Sequence, residues 1–410
     1  MNFMKVSKKI IKYPYNLTKN GLSDLRSYHY LSKKSSKTGH KIKVGFIVQM
    51  PELWSKQKSV YERMCHLSLF DPWMIIVPKF DLKNGCMGEY SDEKEFFHSE
   101  CMNGQFVIAK ENNGWVDIKS LGVDYLFYQR PYDHYLPKLY RSNETVKYAK
   151  ICYIPYATPE KKDTVIYPRS FFRNIYFGFM EDESAALINA KRYKLTHKKK
   201  LQHFCNIGYP AFEECIKQRK DCKYENILWT PRWSYDPVVG GSHFFEYEPY
   251  LSEFDWKEQH FMVRPHPMMW ENFIKTGKAT EQDEKVIKSK WSEHGIEIDS
   301  NKSIEDTFRN IDILISDNSS VILMFFLTGK PIIYCIFDVG FGTLFKSIMP
   351  GMYIARNWEE VEKYLKMLQN HEDPLKSVRN EIISNNFPQH HNVAEKIVNT
   401  IAEDYNRRNS

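Results

Sequence analysis

No segment of this sequence carries the roughly eighteen consecutive apolar residues needed to cross a bilayer. Its eight cysteines, at 65, 86, 101, 152, 205, 215, 222 and 335, form no CxxC pair and no metal-ligand spacing. That argues against a zinc or disulfide scaffold and predicts reduced, mostly buried thiols. The opening residues lack the apolar core of a secretion signal, because "VSKKIIKYPY" interrupts every run within a few residues. A cytoplasmic protein with no metal site and no resident cofactor is expected. Internal repeats are missing as well, and the only biased tract is a basic N-terminal arm.

What is present is length enough, at 410 residues, for two domains that each bury a core. The net charge of +7 is unevenly placed. Residues 1–43 hold eleven Lys and Arg against Asp24 alone, which leaves 47 basic and 50 acidic side chains in a nearly neutral body. Basic residues mixed with apolar and aromatic ones suit an anionic membrane surface, at about 1 kcal/mol per residue near the lipid. A solvated disordered tail is the other reading. Nucleic acid is not expected as a partner, because the basicity does not continue into a folded face.

Strand and helix signals alternate along the body, which predicts an α/β protein with parallel sheets. "KIKVGFIVQM", "PWMIIVPKF", and segments near 124–128 and 149–154 supply strands of a first domain over 44–218. A second domain over 219–372 is read from strands at 226–230, 260–264, 296–299, 311–316, 331–337 and 351–355. Ser303 with Asp306, and Asn357, are expected helix caps. The helices of 373–410 are expected to return to the first domain. Two facing domains of this kind would form a cleft at the carboxyl ends of their strands.

"ISDNSSVILMFFLTGKPII" (315–333) sets Asp317, Asn318, Ser319 and Ser320 between two apolar segments. A strand, a polar turn and a buried helix ended by Gly329 fit that pattern. Free N–H groups and positive dipole character at the helix start would make the turn a phosphate site. Plain capping by Asn318 or Ser319 is the alternative. In "FMVRPHPMMW" (261–270) two prolines fix a turn that would aim Arg264 and His266 into the cleft. In "ILWTPRWSYDPVVGGSHFFEY" (227–247) a strand ends at Arg232, followed by Gly240, Gly241, Ser242 and His243. Backbone amides there can approach a ligand, or the glycines can mark a loop tip. In the first domain Gln129, Arg130, Asp133, His134, Tyr156 and Thr158 follow strands on the cleft side.

"ILWTP", "RPHP", "IDILISDNSSVILMFFLTGKPIIY" and the Gly208-Tyr209-Pro210 turn resemble the CDP-glycerol glycerophosphotransferase family, which builds teichoic acids and related surface polymers. The resemblance spans about 200–390. It implies the two-Rossmann architecture called GT-B, with the acceptor on the first domain and the nucleotide donor on the second. It also implies that Asp317–Ser320 and His266 close on the donor's nucleotide and pyrophosphate. The basic arm would then serve peripheral attachment to the inner face of the cell membrane.

Two positions depart from the family pattern. Tyr156-Ala157-Thr158-Pro159 stands where His-Gly-Thr-Pro is usual, and Met324 stands where a carboxylate is common. An unperturbed Tyr has a pKa of about 10, so His134, His243 or Asp133 is a more accessible base. The expected activity moves glycerol phosphate, or a similar polyol phosphate, from a CDP-polyol to a hydroxyl of a polymer or lipid-linked acceptor. A sugar-nucleotide glycosyltransferase or epimerase of the same fold, and a non-catalytic scaffold, are the alternatives.

Overall fold

The computed structural model describes residues 20–33, 41–81, 84–111, 114–157, 167–236, 241–253, 256, 260–337 and 342–409. Most of the basic arm, Thr158 and Gly240 lie outside them. The chain divides into two compact units. The first runs to Tyr156, resumes to Tyr209, and takes the chain from Asn392 onward; Pro210–His391 form the second.

Seven strands build the sheet of the first unit: β1 (Ile42–Val48), β2 (Phe70–Ile76), β3 (Phe106–Ile108), β4 (Tyr125–Tyr128), β5 (Lys150–Tyr153), β6 (Ile175–Phe179) and β7 (His203–Cys205). Their order is β3-β2-β1-β4-β5-β6-β7, every pairing parallel. β4, β5 and β6 are buried at every position, as expected of apolar strands inside a parallel sheet, and the buried set includes Lys150 at the start of β5. The sequence reading passes over β3, which is three residues long, and β6, whose "IYFGF" carries a glycine next to its last residue. That glycine has a packing reason: a Cβ on Gly178 would lie 2.9 Å from the Phe204 ring.

Two flanking helices close this unit. One, over 20–31, is the part of the arm that the structure describes; Lys150 Nζ donates to Leu31 O at 2.6 Å beyond its last turn. The other, Val393–Asn409, is pinned through Asp404. Its Oδ2 accepts from Tyr125 Oη and Oδ1 from Tyr176 Oη, both at 2.7 Å, with Arg407 and Arg408 alongside.

The second unit has six strands: β8 (Asn226–Thr230), β9 (His260–Val263), β10 (Glu297–Ile298), β11 (Ile313–Ser316), β12 (Ile332–Cys335) and β13 (Tyr353–Ala355). All run parallel in the order β10-β9-β8-β11-β12-β13. Helix Pro210–Lys217 packs on helices Ile304–Asn310 and Val321–Phe326, so this unit starts at Pro210 where the sequence reading starts it at 219. Helix Lys376–Asn386 also stays here, held by the buried Arg379, which pairs with Asp373 and donates to Gly329 O. Asn357 caps its helix by accepting from Glu360 N at 2.9 Å. Ser303 instead turns its hydroxyl to Glu305, a competition local to the side chains.

Each sheet reverses strand order once, between β1 and β4 and between β8 and β11. These are Rossmann-like units of the GT-B kind, in which ligands bind at such reversals, outside the carboxyl ends of the strands.

Candidate functional site at the strand reversals

In the second unit the reversal is organised by one carboxylate. Asp317 follows β11 directly and is fully buried. Its Oδ2 accepts from Arg232 N at 2.9 Å and from Ser242 Oγ at 3.0 Å, and its Oδ1 accepts from His243 N at 3.3 Å. His243 Nδ1 lies 2.8 Å from the same Oδ1. Asp317 thus ties the ends of β8 and β11 to the start of helix Phe244–Glu253. The sequence reading puts this residue among the phosphate ligands; its carboxylate is instead spent on protein donors, and an anion would be repelled by it.

His243 is buried, its ring 4.9 Å from that of Tyr247 at an interplanar angle of 15° and 4.0 Å from that of Phe337. Ser242 Oγ also accepts from Phe244 N at 3.3 Å, which caps the helix. Gly241 has φ +62, and a Cβ there would sit 2.4 Å from the Phe337 ring. Both facts call for glycine. The Gly241-Ser242-His243 segment is therefore packed, and a flexible loop tip does not describe it.

Around this hub lie the groups able to meet an anion. Arg232 Nη1 donates to Asn318 O. Asn318 is buried with both side-chain polar atoms unpartnered. Ser319 and Ser320 are half-buried at the start of helix Val321–Phe326, and Ser319 Oγ accepts from Val321 N. His266 lies at an exposed position of the turn after β9, where crowding on its protein side and the Arg232 guanidinium push its pKa down to about 4. Its Nδ1 accepts from Met268 N at 3.1 Å. The neutral ring then carries its proton on Nε2 and presents a hydrogen-bond donor.

Arg264 does not join His266 as the proline-fixed turn suggested. Its guanidinium pairs with Asp299 and donates to Asn301 O at 2.9 Å, because Asp299 lies just beyond the neighbouring strand β10. Met324 is buried inside its helix.

In the first unit Gln129 clamps the reversal: its Oε1 accepts from Gln49 N at 2.7 Å and Met50 N at 2.9 Å. Arg130 donates to Gln49 Oε1 and lies 4.7 Å over the Tyr135 ring, and burial lowers its pKa. Asp133 is engaged by Ser142 N and Oγ, and burial raises its pKa. His134 is exposed, its ring against Tyr135. Tyr156 is pushed further above its ordinary range by burial and by its bond to Tyr132 Oη at 3.0 Å. Gly208, at φ +106, precedes Tyr209, whose hydroxyl donates to Pro155 O at 2.8 Å. Among the described residues no cluster of three His, Cys, Asp or Glu side chains could hold a metal ion.

A family model described as CDP-glycerol:poly(glycerophosphate) glycerophosphotransferase matches residues 212–403. No curated protein matches the sequence. Among solved structures, the wall teichoic acid polymerase TagF is similar at 12% identity over 100% of both chains, with a TM-score of 0.54. S. aureus MnaA in its UDP co-structure is similar at 11% identity over 89% of this chain and 97% of that one, TM-score 0.52. A putative UDP-N-acetylglucosamine 2-epimerase from Listeria monocytogenes is similar at 11% identity over 90% and 98%, TM-score 0.53. At these identities the likeness is one of fold.

Proposed function

We propose that the protein, whose residues 212–403 match the family model described as CDP-glycerol:poly(glycerophosphate) glycerophosphotransferase, moves glycerol phosphate from CDP-glycerol to a hydroxyl of a polymer or lipid-linked acceptor. The observation that carries the site assignment is the group of donors beside the β8/β11 reversal. Arg232, the Nε2–H of a neutral His266, the Asn318 amide and the hydroxyls of Ser319 and Ser320 are suited to phosphate oxygens. The acceptor oxygen attacks the β-phosphorus and CMP departs. Positioning and charge neutralisation carry most of such a transfer. Asp317 and His243 act from beneath by holding the Arg232 and Gly241–His243 segments in place. The test is CMP release from CDP-glycerol with a glycerophosphate-terminated acceptor. Folded protein that releases no CMP would sink the reading.

A second reading is favoured by one observation, the raised pKa of Tyr156 where the family's histidine is usual. A relative that binds CDP and holds a polymer without turnover would show CDP binding with no transfer.

Membrane attachment belongs to the same proposal. Among the described residues no helix is long and apolar enough to cross a membrane. Helix 20–31 instead exposes Leu22 and Leu25, at 70% and 68%, beside Arg26, and the neighbouring arm is strongly basic. Such a stripe suits the surface of an anionic leaflet. Cosedimentation with phosphatidylglycerol vesicles, lost at high salt and absent with neutral vesicles, is the expected result; equal binding to both would remove the electrostatic part.

A further inference from the structure

A cavity of about 390 Å³ lies wholly within the first unit, between helix 20–31 and the segments that follow β4 and precede β6. That is the size of a small-molecule site, and the transfer described above makes no use of it. Three arginines line it, Arg26, Arg141 and Arg173, with Asn20, Ser23 and Asn143 among them.

The acids nearby are already matched. Asp24 pairs with Arg169 and lies 3.4 Å from Arg173, and Asp133 accepts from Ser142 N at 2.7 Å and from Ser142 Oγ at 2.8 Å. The buried part of the lining is satisfied in the same way: Ser27 Oγ donates to Asn174 Oδ1 at 2.6 Å, and Asn174 Nδ2 donates to Ser142 Oγ at 2.9 Å. Arg173, itself buried, donates to Asn20 Oδ1 at 3.0 Å. Two guanidiniums keep donors to spare. Arg141 donates from Nε to Leu136 O at 3.1 Å, and Arg26 is exposed with its guanidinium 5.9 Å from the centre of the Tyr30 ring. Among the described residues neither forms an ion pair.

Guanidiniums gathered without carboxylates to neutralise them fit a phosphate, whose oxygens accept from the planar fork in pairs. Residues 1–19 hold five lysines and no acid, so the arm is no counterpart for this cavity. Helix 20–31 also exposes Leu22 and Leu25, which lie outside the cavity lining, and Leu22 stands one turn before Arg26. A ligand that carries a phosphate next to an apolar body meets both features. We propose that the cavity receives the phosphate of an anionic phospholipid headgroup, with Leu22 and Leu25 against the acyl region of the same leaflet. The inference rests on the membrane-attachment reading above and gives it a defined site. The arm supplies diffuse attraction to the charged surface, and Arg26 and Arg141 supply direct contacts to one lipid.

The test compares full-length wild type with Arg26→Gln/Arg141→Gln and with Lys8→Gln/Lys9→Gln, which removes the same charge from the arm. Dihexanoyl phosphatidylglycerol, kept below the concentration at which it aggregates, is titrated by calorimetry at fixed ionic strength. Expected are saturable binding to wild type and to the lysine variant, and a loss of roughly tenfold or more in the arginine variant. Cosedimentation with phosphatidylglycerol vesicles should fall further in the arginine variant than in the lysine one. Short-chain lipid binding that is equal in all three proteins, or absent from wild type, overturns the proposal; vesicle binding that still depends on anionic lipid then leaves the attachment reading intact. Wild type that binds no phosphatidylglycerol vesicles overturns both. Inorganic phosphate tests the other source of the same chemistry, and phosphate that binds wild type as tightly as the short-chain lipid would overturn the lipid as occupant. Should the double arginine variant fail to fold, Arg26→Gln alone decides, since Arg26 is exposed and rests only near the Tyr30 ring: weaker short-chain lipid binding supports the site, and unchanged binding overturns it.

Discussion

At the scale of single residues, the side chains with most contacts are those that hold others in place. Asp317 receives two backbone N–H groups, a hydroxyl and an imidazole. Replacing it with Ala leaves buried donors unpaired, and a loss of about 3–5 kcal/mol in denaturant unfolding is expected, together with loss of CDP binding. His266 behaves differently. With its pKa near 4, it stays neutral across the working range and contributes no limb to the pH profile there. His266→Gln, which keeps a side-chain donor, should retain more turnover than His266→Ala; equal losses would show that the ring and not its N–H matters. Glu181 also affects stability. Its folded pKa lies above the ordinary carboxylate value, so the native state holds the extra proton and stability falls as pH rises from about 4.5 to about 8. Glu181→Gln should therefore raise the melting temperature at alkaline pH relative to wild type. Of these residues, His266, His243 and Asp317 were legible as polar groups after strand-like runs. Glu181 was not, because "FGFMEDES" shows a glycine inside the run and three consecutive acids after it, and nothing local distinguishes the buried one.

Among elements, the long helices and buried strands followed from periodicity and apolar runs, and their ends followed less well. Asn357 caps as its position implied, while Ser303 is drawn off by Glu305 two residues away. Gly241 shows why a loop sequence alone misleads. Its φ of +62 and its contact with Phe337 make Gly241→Ala strained on two counts. A loss of about 1–3 kcal/mol and weaker CDP binding are expected, both readable by thermal shift. The last helix depends on Asp404. Burial works against its ionisation, yet the hydroxyls of Tyr125 and Tyr176 and the guanidinium of Arg408 hold its pKa below the ordinary value. That stabilisation is present above the ordinary carboxylate pKa and lost as pH falls through the lowered one. Asp404→Asn should lower the unfolding midpoint at neutral pH, and the gap to wild type should close in acid.

For the whole molecule, charge and chain length carry the argument. The body is close to neutral and the arm is basic, so vesicle binding should respond to salt while catalysis on a soluble acceptor should not. Removing residues 1–19 is expected to weaken cosedimentation with anionic vesicles and leave CMP release on a soluble acceptor unchanged. The family match falls on residues 212–403, whereas the structural likeness to TagF runs over the full length. The sequence-level match thus falls almost wholly on the second unit, while the likeness of fold extends over the first as well.

By itself the sequence determined the α/β class, the buried helix after Asp317–Ser320 and the uneven charge. These depend on periodicity, apolar runs and composition, all local quantities. Tertiary structure decided which polar residues are spent and which remain free. Arg264 is consumed by Asp299, and Asp317 by two segments far from it in the chain, at Arg232 and at Ser242–His243. Glu181 reaches Tyr153 and Tyr167 through the pairing of β5 with β6 and the packing around it. Such pairings join residues tens of positions apart, and the desolvation that shifts Glu181 exists only once the chain has packed around it.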